Sequence, residues 1–149
     1  QSGINLQDSY TLDFKDTKLY EQRSELKDKI KDLFTSKKFD FIFTHSSGDL
    51  HQDHRLISEI TLELFRGPNI LAYEIPKFDG NPFRPNLYFE LNQQSVQKKV
   101  NHLMKHYKSQ HDKLWYNSST FEATMVLRGV EASKLFAEGF EVVKHIIEE

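Results

Sequence analysis

The sequence has no cysteine among its 149 residues. This absence excludes disulfide bonds, thiolate metal sites and cysteine nucleophiles. It is also typical of proteins from a reducing compartment, so we predict a cytoplasmic location. Long apolar runs are lacking as well, and no signal peptide opens the chain, so the sequence predicts no membrane span.

An excess of one charge sign is also missing. The 20 Lys and Arg residues nearly balance 22 Asp and Glu residues, giving a formal net charge of -2. Such a balance provides no general attraction to nucleic acid or to an anionic membrane, and we predict neither as a partner. The length suits one domain with a moderate core, which we assign to residues 1–149.

Hydrophobic periodicity predicts strands alternating with helices. The alternating segment Tyr10 to Phe14 and the apolar run Phe41 to Phe43 are predicted strands, and the second is typical of a strand buried on both faces of a parallel sheet. Further predicted strands lie at 70–74 and 87–91. Predicted helices begin near Asp16-Thr17, near Gln52 and near Ser95, and a fourth runs from 121 to about 135 with an interruption at 128–129. The tail, 140–147, suits either a helix or a strand.

This alternation implies right-handed βαβ units and a mostly parallel sheet. We therefore predict an α/β fold of the Rossmann-like, three-layer type. In such folds ligand sites lie at the carboxyl ends of strands.

The segment Thr44 to His54 follows one of the predicted strands and carries three histidines and two aspartates. Because His51 and His54 are three residues apart at a helix start, their rings point to roughly the same side. Imidazole is a common zinc ligand, and zinc with an open position activates water. Asp49 could instead be a plain N-cap. Spacing alone favours capping, because catalytic zinc normally takes three protein ligands.

The sequence around this segment resembles the second signature of the PIG-L (LmbE-like) family of zinc-dependent N-deacetylases. Further segments are similar to family landmarks in the same order, so that the resemblance extends over nearly the whole chain. They are 12–17, 73–76, 82–85, 107–110, 128–129 and 137–140.

The resemblance implies hydrolysis of an acetamido group on an N-acetylglucosamine-type sugar or conjugate, with Zn²⁺ as cofactor. It implies that His54 is a zinc ligand, that His51 is the charged oxyanion partner and general acid, and that Asp53 orients His51. It also suggests that Arg84 lies over the substrate pocket. Glu74 and His45, at predicted strand ends, are further candidates for contacts with the substrate.

The first signature of the family, H-P-D-D, does not occur in this sequence. In the family it supplies two zinc ligands and the catalytic base. We therefore expect the chain to be the carboxyl-terminal portion of a deacetylase, with a fold incomplete at its N-terminal end. We expect it to be inactive by itself and to bind zinc weakly, and we expect the strand at 41–45 to have an open apolar edge that favours self-association.

Other side chains carry weaker signals. Trp115 and Tyr116 could stack on a sugar, although aromatic core contacts are more common. His102 and His106 are one helical turn apart, but a solvated face explains them better. The competing function is a non-catalytic sugar-binding or interaction domain with the same fold.

Overall fold

The computed structural model describes residues 9–34, 36–78 and 83–147. A 3-10 turn at Leu19–Gln22 precedes the first helix. The elements in chain order are α1 (Arg23–Phe34), β1 (Phe41–His45), α2 (Gln52–Leu64), β2 (Asn69–Tyr73), β3 (Leu87–Glu90), α3 (Gln93–His106), α4 (Ser118–Glu131) and β4 (Ala137–Lys144). A second 3-10 turn, Lys108–Gln110, follows α3. Within these ranges no helix is both long and apolar enough to cross a membrane.

The four strands form one sheet in the order β1-β2-β4-β3. β1 and β2 are parallel, whereas β4 is antiparallel to both of its neighbours. Three strands therefore run in one direction, and the exception is the tail segment for which the sequence left helix and strand open. The predicted α/β class is confirmed. The sheet was predicted to be mostly parallel, but it is mixed, since one of the three pairings between described strands is parallel and two are antiparallel.

β1 lies at the edge of this sheet, with its outer side unpaired by any strand of the described residues. Phe41 is 52% exposed and Phe43 is 55% exposed. The prediction that this run is buried on both faces is therefore wrong for the described part of the chain. The ring of Phe43 contacts Phe140, which contacts Phe89 in turn, with centroids 5.6 and 5.4 Å apart. The result is a row of aromatic side chains across one face of the sheet.

The predicted strand at Tyr10 to Phe14 is not formed, and this segment is irregular. Its alternating apolar residues contribute to the helical core instead, since Leu12 and Phe14 pack against a buried cluster of α1 and α2. That cluster consists of Leu26, Leu56 and Ile60. A second buried cluster joins α3 and α4 through Val96, Val100, Tyr116, Phe121 and Met125.

Helix α4 continues through Arg128-Gly129, where an interruption was predicted, and ends at Glu131. Gly129 is needed there for close approach rather than for breaking the helix. A Cβ at this position would lie 2.7 Å from the carbonyl oxygen of Leu135, on the turn into β4.

Candidate functional site

The site begins where β1 ends at His45 and the chain turns into α2. His51 is the N-cap of α2, and its Nδ1 accepts a hydrogen bond of 3.2 Å from the backbone N–H of Asp53. Asp49 is not the N-cap of the helix. Its Oδ1 accepts from the backbone N–H of His51 at 2.8 Å and thereby closes the turn. The Ser46 hydroxyl accepts from the N–H of Gly48 at 3.2 Å in the same loop.

Asp49 is buried and is the electrostatic centre of the cluster. Its Oδ2 lies 2.8 Å from Nδ1 of His54, and its Oδ1 accepts from the ammonium of Lys77. Burial acts to raise the pKa of the Asp49 carboxyl, but the hydrogen bonds with Lys77, His54 and the N–H of His51 outweigh it and lower the pKa to about 2. Asp49 is therefore an anion at neutral pH, and it holds the His54 ring by one nitrogen.

Three histidine rings stack beside this carboxylate. The rings of His45 and His54 have centroids 4.0 Å apart and planes 8° apart, and His51 and His54 follow at 4.6 Å and 29°. Nε2 of His45 lies 3.3 Å from the hydroxyl of Tyr73. Burial, followed by the neighbouring His54, lowers the pKa of His45 to about 4, so its ring is neutral at pH 7.

His45, Asp49 and His54 bring one potential ligand atom each within 4.8 Å of one another, so they could hold a metal ion. However, an imidazole nitrogen directs its lone pair in the ring plane, and two nearly parallel planes do not converge on one ion. His54 fits a ligand role best, because Asp49 fixes Nδ1 and leaves Nε2 available, as carboxylates do behind metal-binding histidines. The described residues therefore fit one oriented ligand, whereas a three-ligand site would require His45 to turn.

Asp53, predicted to orient His51, contacts the ring of His51 through its backbone N–H and not through its carboxylate. The carboxylate Oδ2 accepts from the backbone N–H of Thr17 at 2.7 Å. The other oxygen, Oδ1, is buried and has no hydrogen-bond partner among the described residues.

Glu74 and Arg84, both predicted to contact substrate, are placed differently. Glu74 receives two hydrogen bonds from the buried guanidinium of Arg128, at 2.9 and 2.5 Å, and Arg128 also donates to Glu131 at 2.7 Å. These bonds raise the pKa of Arg128, the Glu74 bond being the largest cause. Arg84 is exposed and is not among the residues that line the cavity described next.

A large open cavity of about 1180 Å³ lies beside the histidine cluster, Lys77 and Glu74. Its polar lining includes His45, His51, His54, Glu74 and Lys77, and its aromatic lining includes Phe43, Tyr73, Phe78, Tyr107, Trp115 and Tyr116. Tyr116 is a core residue, since it is 6% exposed and its hydroxyl donates to the carbonyl of Leu103. Tyr107 and Phe78, at 54% and 87% exposed, are the more accessible rings. His102 and His106 contact each other on the exposed surface of α3.

Sequence reasoning assigned no functional role to Lys77, Tyr73, Arg128 and Thr17, although three of them lie in the segments 12–17, 73–76 and 128–129 that resemble family landmarks. Arg128 also lies on the buried face of α4 with Phe121 and Met125. The other three come from segments that pairing and packing bring to the motif.

The family model described as "PIG-L: GlcNAc-PI de-N-acetylase" matches residues 2–65. The predicted landmarks beyond residue 65 lie outside that match. No curated protein matches the sequence.

Two solved structures share the fold. One is the 4-carboxy-2-hydroxymuconate hydratase GalB from Pseudomonas putida KT2440, 19% identical over 85% of this chain and 61% of its own, with a TM-score of 0.63. The other is a conserved protein from Thermus thermophilus, 19% identical over 91% of this chain and 65% of its own, with a TM-score of 0.65. The chain thus spans less than two thirds of either structure.

Proposed function

Because residues 2–65 match the PIG-L family, we propose that the chain is part of a zinc-dependent N-deacetylase that removes acetyl from an N-acetylated amino sugar or sugar conjugate of the N-acetylglucosamine type. The observation that carries this proposal is the orientation of His54 by Asp49, at the carboxyl end of β1 and beside the N-cap His51. The remaining zinc ligands and the base would come from an H-P-D-D segment outside these 149 residues.

In the proposed mechanism, Asp49 holds Nδ1 of His54, so Nε2 of His54 would be the atom that holds zinc. Bound zinc would lower the pKa of a water molecule and polarise the acetamide carbonyl. His51, whose ring stacks on His54, would act on the same carbonyl. Because its Nδ1 accepts the N–H of Asp53, a neutral ring carries its proton at Nε2, where it would donate a hydrogen bond to the developing oxyanion. The charged ring that the family resemblance implies, which could transfer a proton to the leaving nitrogen, would require Nδ1 to release the Asp53 N–H and take up a proton. The water oxygen would first add to the carbonyl carbon and lose its proton to the base outside these residues. The C–N bond would then break as the leaving nitrogen is protonated, giving acetate and the free amine.

Supporting side chains have narrower roles in this proposal. Tyr107 and Phe78 are the exposed rings on which a sugar face could stack. Glu74 would act mainly by holding Arg128, and its contact with substrate hydroxyls, like that of Arg84 and His45, stays a prediction. A cytoplasmic location is proposed on the lack of cysteine alone.

The test is acetate release from a panel of N-acetylated amino sugars by a complete protein that contains these residues and an H-P-D-D segment. We expect His54→Ala to lose both zinc and activity, whereas His51→Ala keeps zinc and loses turnover. Equal turnover in both variants and the parent protein would refute the assigned roles.

A second candidate is a sugar-binding domain without chemistry. It is favoured by the stacked rings, which leave only His54 oriented as a ligand within the described residues. Titration of the chain with N-acetylglucosamine, followed through the resonances of Tyr107 and Trp115, separates the two. Sugar binding together with a complete protein that releases no acetate would favour this candidate.

A further inference from the structure

Thr17 is held in a backbone conformation that its side chain disfavours. Its φ is 62°, in the left-handed region that a β-branched residue rarely adopts. The side chain is exposed, so packing does not explain this conformation. Such strain persists only where the surrounding structure fixes it, and such residues cluster at active sites.

Both backbone polar groups of Thr17 are bound to the start of α2. Its N–H donates to Oδ2 of Asp53 at 2.7 Å, and its carbonyl accepts from Nε2 of Gln52 at 2.5 Å. The same N–H lies 3.0 Å from Oδ1 of Asp16, which is an exposed contact. The turn is thus fastened to two consecutive residues of the motif segment.

This connection matters because Asp53 is 5% exposed and its Oδ1 has no partner among the described residues. The N–H of Thr17 is therefore the hydrogen bond that fixes the carboxylate. The backbone N–H of Asp53 in turn donates to Nδ1 of His51. A continuous series of contacts runs from the turn to the ring.

We propose that Thr17 is a positioning residue: its backbone N–H, in the left-handed conformation, fixes Asp53 and so the ring of His51. The catalytic meaning of this inference rests on the role proposed above for His51. The test of this geometry requires neither zinc nor substrate nor turnover.

The proposal makes opposite predictions for two substitutions. Thr17→Gly keeps the N–H and adopts a positive φ without strain, so it should raise the melting temperature and leave His51 unchanged. Thr17→Pro removes the N–H and cannot adopt this φ, so the Asp53 amide and the His51 ring should lose their parent environment. Asp53→Ala should disturb the His51 ring in the same way.

The experiment is a nitrogen-15 NMR comparison of the 149-residue chain and its variants, with the His51 ring signals assigned through His51→Gln. Asp16→Ala is the matched control, since it removes only the exposed contact of the same N–H. We expect parent-like His51 nitrogen shifts in Asp16→Ala and Thr17→Gly, and changed shifts in Thr17→Pro and Asp53→Ala.

Unchanged His51 shifts in a folded Thr17→Pro and in Asp53→Ala would overturn the proposal, as would a lower melting temperature for Thr17→Gly. If Thr17→Pro fails to fold, Thr17→Gly and Asp53→Ala decide the matter. In an active complete protein, the loss for Asp53→Ala should lie in kcat rather than KM, by roughly up to 100-fold. A protein that releases no acetate would refute the proposed function while leaving the spectra to test the geometry.

Discussion

The rings of His45 and His54 lie face to face, with centroids 4.0 Å apart and planes 8° apart. This arrangement distinguishes the two histidines, which residue type alone would treat as equivalent metal ligands. Both histidines could donate to a metal, but only His54 has its second nitrogen fixed by Asp49. His45 is instead held by Tyr73 and by the stack.

His45→Ala should therefore weaken the fold without removing the metal from a complete protein. The variant loses the stack and the contact with Tyr73, and we expect a cost of about 1–2 kcal/mol in the free energy of unfolding. Chemical denaturation and zinc analysis of the same variant measure both effects. Loss of zinc with little loss of stability would identify His45 as a ligand.

Arg128→Met should be strongly destabilising. The guanidinium is buried and donates two hydrogen bonds to Glu74, so its removal leaves a largely buried carboxylate without that partner. Breaking one side of such a pair costs about 3–5 kcal/mol. The double variant Arg128→Met with Glu74→Gln removes the charge as well and should recover part of the loss in urea denaturation. A double variant no more stable than the single one would contradict the charge argument.

Gly129→Ala tests the close approach between α4 and the turn into β4. The added Cβ would lie 2.7 Å from the carbonyl oxygen of Leu135, and such overpacking costs about 1–3 kcal/mol. Gly67→Ala is the matched control, because a Cβ there meets nothing within 4 Å. Thermal melts should rank Gly129→Ala well below Gly67→Ala, and equal melting temperatures would refute the steric explanation.

Self-association through the edge of β1 is a further prediction. Phe41 and Phe43 are about half exposed beside an unpaired strand edge, and neither lysine nor proline interrupts β1. Sedimentation velocity over a concentration series should show association that Phe41→Lys reduces. Phe78→Lys is the control, since Phe78 is 87% exposed and lies outside the sheet. A monodisperse monomer at all concentrations would count against this prediction.

The elements with strong periodicity were predictable from the sequence. Helix α2 begins at Gln52 as expected, because a polar turn precedes a regular apolar stripe. The prediction of a strand at Tyr10 to Phe14 was wrong because an alternating pattern indicates only which side chains are buried. Leu12 and Phe14 are covered by helices and not by a sheet. The exposure of β1 could not be read from the sequence, since an apolar run does not reveal whether a neighbouring strand is present.

The site was predictable only within the motif. The grouping of His51, Asp53 and His54 follows from local spacing at a helix start. The contacts of Asp49 with Lys77 and of Asp53 with Thr17 join residues 28 and 36 positions apart, so they depend on tertiary packing. For this reason the sequence pattern suggests only a helix-capping role for Asp49, whereas in the structure Asp49 orients His54.

The central claim is that His54, oriented by Asp49, is one ligand of a zinc ion whose other ligands lie outside these 149 residues. Equilibrium dialysis against zinc, followed by metal analysis, tests it most directly on this chain, on a complete protein with an H-P-D-D segment, and on the complete protein with His54→Ala. We predict one zinc per complete protein, loss of that zinc in the variant, and clearly less than one zinc per isolated chain. One tightly held zinc per isolated, monomeric chain would contradict the account.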